Sequence, residues 1–195
     1  MKITRAFLSV ALSFWLAVFA LAQSENKDVA QFYQEVDAYV NAKARELASQ
    51  GKRLTADDRD DLFRQKRALA KKYAEEASKR NNLKEKDFYY LGLLHFVAEN
   101  DVKSLEAMKK FLTEYPADVK GDMIQSARSY IVILSCRKKQ MADAEQYFQA
   151  WTKGEPFFIK QQPQLEQILS VGFFKDGQYE KAIQYGQEAF DLLKT

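Results

Sequence analysis

"FYYLGLLHFVAEND", residues 88–101, is the stretch on which the fold turns. Its apolar residues run from Phe88 to Ala98 as one helix, and Glu99-Asn100-Asp101 supplies the turn that ends it. Directly after it, Val102, Leu105, Met108 and Leu112 fall at helical spacing and mark the apolar face of a second helix, closed by Tyr115-Pro116. A short helix pair of this kind cannot bury its own apolar face, so the rest of the chain has to be searched for copies of it.

The helical pattern continues in both directions. Downstream, Met123 to Arg137 reads as helix. Tyr130-Ile-Val-Ile-Leu134 alone would suit a buried strand, but the flanks Gln125–Arg128 and Arg137–Lys139 extend the segment past strand length. Met141, Ala144, Phe148 and Trp151 mark the next helix, ended by Gly154-Glu-Pro156. Leu165 to Lys175 and Tyr179 to Leu193 complete the series, with Gly177 as the turn between them. Upstream, Val29, Phe32, Tyr33, Val36, Tyr39 and Val40 begin a helix that stops near Gly51. Thr55 to Asp58 then forms an N-terminal cap for a helix running to about Lys79. That helix carries a thin apolar stripe of Leu62, Leu69 and Tyr73, so one side of it faces water. No segment alternates like a half-buried strand. The expected fold is all-α and a single continuous domain: a long charged helical hairpin over residues 23–82, then about three helix pairs over 83–195.

The pairs resemble the tetratricopeptide repeat. Phe88-x2-Leu91-Gly92-x2-His95 matches the aromatic, the Leu-Gly and the late ring of its first helix, with histidine in place of the final aromatic. Ser104-x3-Met108 stands for the Ala-x3-Phe of the second helix, and Pro116 closes the unit. Ala144-x3-Phe148 with Pro156 repeats the second half, and Tyr179-x2-Ala182 with Ala189 repeats it again. The resemblance covers roughly residues 83–195 as three degenerate units of an α-solenoid. The chain departs from the pattern in unit spacings above the usual roughly 34 residues, in Val132 where glycine is usual, and in Gly186 where an aromatic is. Physically, the small residues Gly92, Ser104, Ala144 and Ala182 let two helix backbones approach closely. Phe88, Met108, Tyr147, Phe148 and Tyr179 then fill the gaps between pairs.

The resemblance implies a concave groove lined by the first helix of each pair. It assigns Tyr89, Leu93 and Phe96 from the first unit, and Ser129, Ile133, Cys136 and Arg137 from the second. Gln167, Val171, Phe174 and Lys175 come from the third. This is an apolar and aromatic floor with a basic edge, suited to a protein partner presenting an extended peptide or an amphipathic helix. The Lys/Asn clamp that holds a terminal carboxylate in some such grooves is not visible. The competing arrangement folds residues 28–80 back into the groove as core, and the sequence leaves both open.

A more particular resemblance joins the long hairpin, "FYYLGLLHFVAEND" and "KFLTEYP". Together they are similar to the helical amino-terminal half of exported bacterial redoxin proteins. The thioredoxin-type domain and its Cys-x-x-Cys are not in this sequence. That resemblance implies an accessory module of an envelope thiol–disulfide system, with an envelope redox protein as partner.

Charge and targeting narrow the function classes. Lys2 and Arg5 precede an apolar run from Ala6 to Ala22, broken only by Ser9 and Ser13 and closing on Ala20-Leu21-Ala22. This is the layout of a secretory signal peptide over residues 1–22. The rival, a retained anchor, needs roughly 20 apolar residues. The expectation is cleavage, a periplasmic or secreted protein, and no stable membrane anchor afterwards. Without Lys2 and Arg5 the basic and acidic side chains are nearly equal in number. Basic runs such as Arg64-Gln65-Lys66-Arg67 are interleaved with acids at i,i+4, namely Asp60–Arg64, Glu75–Lys79 and Glu76–Arg80. That is a solvated helix face rather than a nucleic-acid site.

Cys136 is the one cysteine, so the fold has no internal disulfide. It reads first as a small core residue. The functional alternative is a mixed disulfide with a partner, helped by the Arg137 charge. The single histidine, His95, stands where the repeat expects a packing ring, and no metal site or cofactor is expected. No nucleophile–base set or phosphate loop is present in the motifs. A cell-wall enzyme using one carboxylate, Glu99 for instance, is the third function class. A non-catalytic scaffold is the leading one.

Overall fold

The computed structural model describes residues 27–114 and 121–194. The leader-like residues 1–22 and the unit-closing Pro116 lie outside them. Among the described residues the chain forms eight α-helices, one turn of 3₁₀ helix and no strand. The helices are α1 (Val29–Ser49), α2 (Ala56–Ser78), α3 (Glu85–Val97) and α4 (Asp101–Glu114). They continue as α5 (Asp122–Arg137), α6 (Met141–Thr152), α7 (Gln162–Lys175) and α8 (Tyr179–Leu193), with the 3₁₀ turn at Ile159–Gln161.

Local chemistry sets the helix ends. The Asp28 carboxylate accepts from the Gln31 N–H at 2.7 Å while the Gln31 side chain accepts from the Asp28 N–H, a reciprocal cap for α1. Thr55 and Asp58 make the same arrangement at the start of α2. Gly51, Gly121 and Gly177 have positive φ in the connections, and Gly51 and Gly177 end α1 and α7 as the sequence predicts. Helix α7 begins before the expected Leu165, because Pro163 sits in its first turn, where a missing N–H costs nothing. Tyr130–Leu134 is helix, the interior of α5.

Helix α1 lies against α2, and both pack on α3. Their shared core joins Val29, Phe32 and Val36 to Ala70, Ala74 and Ala77 of α2 and to Leu91 and Leu94 of α3. The buried face of α2 contains the expected stripe, with Leu62 buried and Leu69 and Tyr73 packed against the core, and adds Ala70, Ala74 and Ala77 to it. Alanine lets α1 approach closely, and Phe32 stacks on Tyr73 at 4.4 Å. The Tyr73 hydroxyl donates to Glu35 at 2.7 Å. Arg80 pairs with Glu76 at 3.8 Å while lying over the Phe32 ring, whereas on the solvent face Arg64 takes Asp61 rather than the expected Asp60.

The later helices pack as α3 on α4, α5 on α6 and α7 on α8, with α4 also on α5 and both α5 and α6 on α7. The crossings use small residues. Ser104 Oγ donates to the Gly92 carbonyl at 2.8 Å, and a Cβ on Gly92 would lie 2.9 Å from the Met108 methyl carbon. The last pair crosses with the donor on the other helix: Ser170 Oγ donates to the Ala182 carbonyl at 2.7 Å. The middle pair is pinned by Gln125, fully buried, whose amide donates to the Trp151 and Pro156 carbonyls and accepts from Arg128. Met108 and Phe148 fill the core as expected. Tyr179 does not: it is exposed, because no further helix among the described residues packs over α8.

Glu166 is buried at the start of α7. One of its oxygens accepts from Gln162 at 2.7 Å and the other has no partner. Burial pushes its pKa up, the Gln162 hydrogen bond pulls it down, and the Glu188 charge raises it further, for a net increase. A raised folded-state pKa gives stability that is complete below the ordinary glutamate value and is lost as pH rises through the folded value. Glu166→Gln is thus expected to stabilise the chain by about 1 kcal/mol at pH 7.5 and by nothing near pH 4. Urea unfolding at the two pH values checks this, and an equal gain at both would contradict it.

Candidate partner-binding groove

Helices α3, α5 and α7 present their outward faces along one side of the molecule, and two adjoining clefts run between them. The larger, about 720 Å³, is lined by Tyr89 and Phe96 of α3, by Met123, Ser126, Ser129, Tyr130 and Ile133 of α5, and by Gln164, Leu165 and Ile168 of α7. Asp122 of α5 and Phe158, Lys160 and Gln161 of the 3₁₀ region also line it. The smaller, about 320 Å³, is lined by Ile133, Cys136 and Arg137 of α5 and by Gln167, Ile168, Val171, Gly172 and Lys175 of α7. Ile133 and Ile168 belong to both, so the two clefts form one groove. No residue of α1 or α2 lines either cleft. Those helices pack on α3 through Leu91 and Leu94, and Tyr33 of α1 also packs against the core that holds Tyr89 and Ile131, but residues 28–80 line neither cleft.

Of the residues assigned from the sequence, Tyr89, Phe96, Ser129, Ile133, Arg137, Gln167, Val171 and Lys175 line the groove, together with Cys136. Two do not. Leu93 is 4% exposed and packs in the core between α3, α4 and α5. Phe174 is 63% exposed and lines an adjoining hollow with Tyr179 and Ile183, which meets the smaller cleft at Val171. The sequence reading missed the other lining residues, Tyr130, Phe158, Gln164 and Ile168 among them. Gln164 and Ile168 share a helical face with Val171 and Lys175; starting α7 at Leu165 left Gln164 off that face, while Ile168 stood within the helix as read. Phe158 sits between two prolines, where no periodicity exists to read.

The floor is held by aromatic contacts. The Tyr89 hydroxyl donates to Ser126 Oγ at 2.9 Å, and the Phe96 and Tyr130 rings meet edge-to-face at 4.8 Å. Arg137 lies over Phe96 at 5.1 Å and donates to Asp101 at 3.3 Å. Its charge is thus engaged by a carboxylate and a ring. Burial alone pushes the Cys136 thiol up to about 12. The expected help of Arg137 to a thiolate is therefore not what the geometry provides, and the thiol stays protonated at neutral pH. Lys160 and Lys175 are exposed on the rim and supply its basic edge.

A polar cleft of about 580 Å³ lies at the other end of α3, lined by His95, Lys71, Glu75, Lys103 and Arg137 among others. His95 is buried at its base, and burial together with the Lys103 charge lowers its pKa to about 4, against an opposing pull from Glu75. Glu166 lines none of these clefts. Among the described residues no group of His, Cys, Asp and Glu has the arrangement of a metal site, and no helix is long and apolar enough to cross a membrane. No protein-family model matches the chain, and no curated protein matches it.

Proposed function

We propose that this chain is an exported, non-catalytic interaction scaffold. On this reading α1 and α2 are a long hairpin capping a tetratricopeptide-like α-solenoid of three helix pairs. The first helices of those pairs hold one segment of a protein partner, as an extended peptide or an amphipathic helix. The observation that carries the reading is the continuity of the groove through Ile133 and Ile168 across three helices from successive pairs. Its apolar floor supplies affinity, and the rims at Lys160 and Lys175 favour a segment with acidic flanks. The alternative role in thiol exchange loses support from a half-buried Cys136 thiol that burial keeps protonated.

Crosslinking capture from envelope extract tests the proposal, using the wild type beside Ile133→Glu and Lys160→Glu. The wild type is expected to capture a defined partner. Ile133→Glu is expected to weaken capture about thirtyfold or more, with helical content unchanged. Lys160→Glu is expected to weaken it severalfold in a salt-dependent way. Equal capture by the folded variants would contradict the groove assignment.

A further inference from the structure

The polar cleft at the end of α3 shares Arg137 with the groove, and the rest of its lining is of another kind. It is walled by α2, by the turn from α3 into α4 and by the end of α5. His95 at its base is 5% exposed, and its ring makes no hydrogen bond to any described residue. Burial and the Lys103 charge keep the ring neutral at pH 7.5, against the pull of Glu75. A buried neutral imidazole without a partner keeps an N–H and a lone pair for whatever enters the cleft. Helix α4 starts at the same space. The Asn100 side chain accepts from the Lys103 N–H at 3.2 Å, and its carbonyl accepts from the Ser104 N–H at 3.0 Å. The Asp101 and Val102 N–H groups are left without an acceptor among the described residues. The carbonyl ends of α3 and α5 are closed by contrast: the Asn100 N–H donates to the His95 carbonyl and the Gln140 N–H to the Ser135 carbonyl, each at 2.9 Å.

The charges around the cleft do not cancel. Asp101 is engaged by Arg137 and Glu99 by Arg67, each at 3.3 Å. Among the described residues Lys71, Lys103 and Lys138 have no carboxylate within ion-pair distance, and Glu75 has no cation. Lys71 and Glu75, one turn apart on α2, do not pair with each other. Three free ammonium groups against one free carboxylate leave two positive charges uncompensated. We propose that the cleft binds a small soluble phosphate monoester, its phosphate group held by Lys71, Lys103 and the first N–H groups of α4 and hydrogen-bonded by His95. A phosphate group carries about 1.5–2 negative charges at neutral pH, which the surplus matches, and offers acceptor oxygens to each of these donors. The cleft, at about 580 Å³, is larger than one phosphate group fills, and the remaining space takes the organic part of the ester. Among the lining residues the exposed large apolar side chain is Val102, so an acyl chain finds no apolar surface beside the site and the ligand is a soluble ester rather than a lipid headgroup.

His95 is the chain's one histidine, so its ring C2–H resonance reports the base of the cleft directly. The test is a proton NMR titration of the untagged chain, expressed from its complete sequence, with glycerol 3-phosphate at pH 7.5 and about 0.1 M chloride. The expected result is a saturable shift of that resonance with a dissociation constant of about 1 mM or below. Inorganic phosphate is expected to give the same shift with weaker affinity, and vesicles containing phosphatidate are expected to give none. Lys71→Gln and Lys103→Gln are each expected to raise the dissociation constant about tenfold. Lys72→Gln removes the same charge on α2 outside the cleft and should leave the constant within about twofold. All three lysines are exposed, so the melting curves of the variants should match the wild type. No saturable shift below about 20 mM glycerol 3-phosphate would overturn the proposal. So would equal weakening by Lys72→Gln, or binding to the vesicles in place of the soluble ester. None of these outcomes bears on capture by the groove, which Ile133→Glu reports separately.

Discussion

Leu93→Ala is expected to destabilise the chain by about 3 kcal/mol, whereas Phe174→Ala is expected to change its stability by no more than about 0.5 kcal/mol. Both residues were assigned to one binding surface by the repeat register, and the structure separates them. Leu93 belongs to a core with Met108, Phe111, Ile131 and Leu134, so truncation removes buried area and leaves a cavity between three helices. Phe174 contacts Tyr179 edge-on at 5.6 Å but otherwise faces solvent, so truncation removes little buried surface. Urea unfolding of the two variants measures the contrast. Comparable losses would mean that Phe174 is covered within the chain.

The second large effect is on acid stability. His95 is buried in α3, with its pKa lowered to about 4 by burial first and by Lys103 second. A depressed folded-state value gives stability that is present above the unfolded value of about 6.5 and is lost as pH falls through about 4. The loss over that window is expected to be about 2–3 kcal/mol. Carboxylates titrate in the same range, so the comparison is with His95→Phe, which keeps a ring at the position and removes the titration. The stability difference between wild type and variant should move steadily in the variant's favour between pH 6.5 and 4. Parallel profiles would show that His95 is not the group responsible.

The legible parts of this fold were those governed by neighbours in sequence. Caps at Thr55 and turns at Gly51 and Gly177 follow from hydrogen bonds and backbone angles within a few residues, and they stand where the sequence puts them. The length its flanks give the segment likewise separated Tyr130–Leu134 from a strand. Burial depth was less legible, because it depends on what packs next. The register gave Leu93 and Phe174 equivalent outward positions, but among the described residues the first pair has another helix lying over it and the last does not. Ala70, Ala74 and Ala77 were unreadable as a core face because alanine is equally at home on either side of a helix. Phe158 entered the groove through the segment between Pro156 and Pro163, whose course no periodicity describes.

The groove makes one direct demand, that the partner touch α7 on its groove face and leave α2 untouched. A photo-crosslinking residue placed in living cells at Gln164 or Gln167, both exposed and both lining the clefts, measures this against the same residue at Lys72 on the exposed side of α2. The account predicts adducts with one and the same polypeptide from Gln164 and Gln167 and none from Lys72. Adducts from Lys72 with that polypeptide, or none from either groove position, would contradict it.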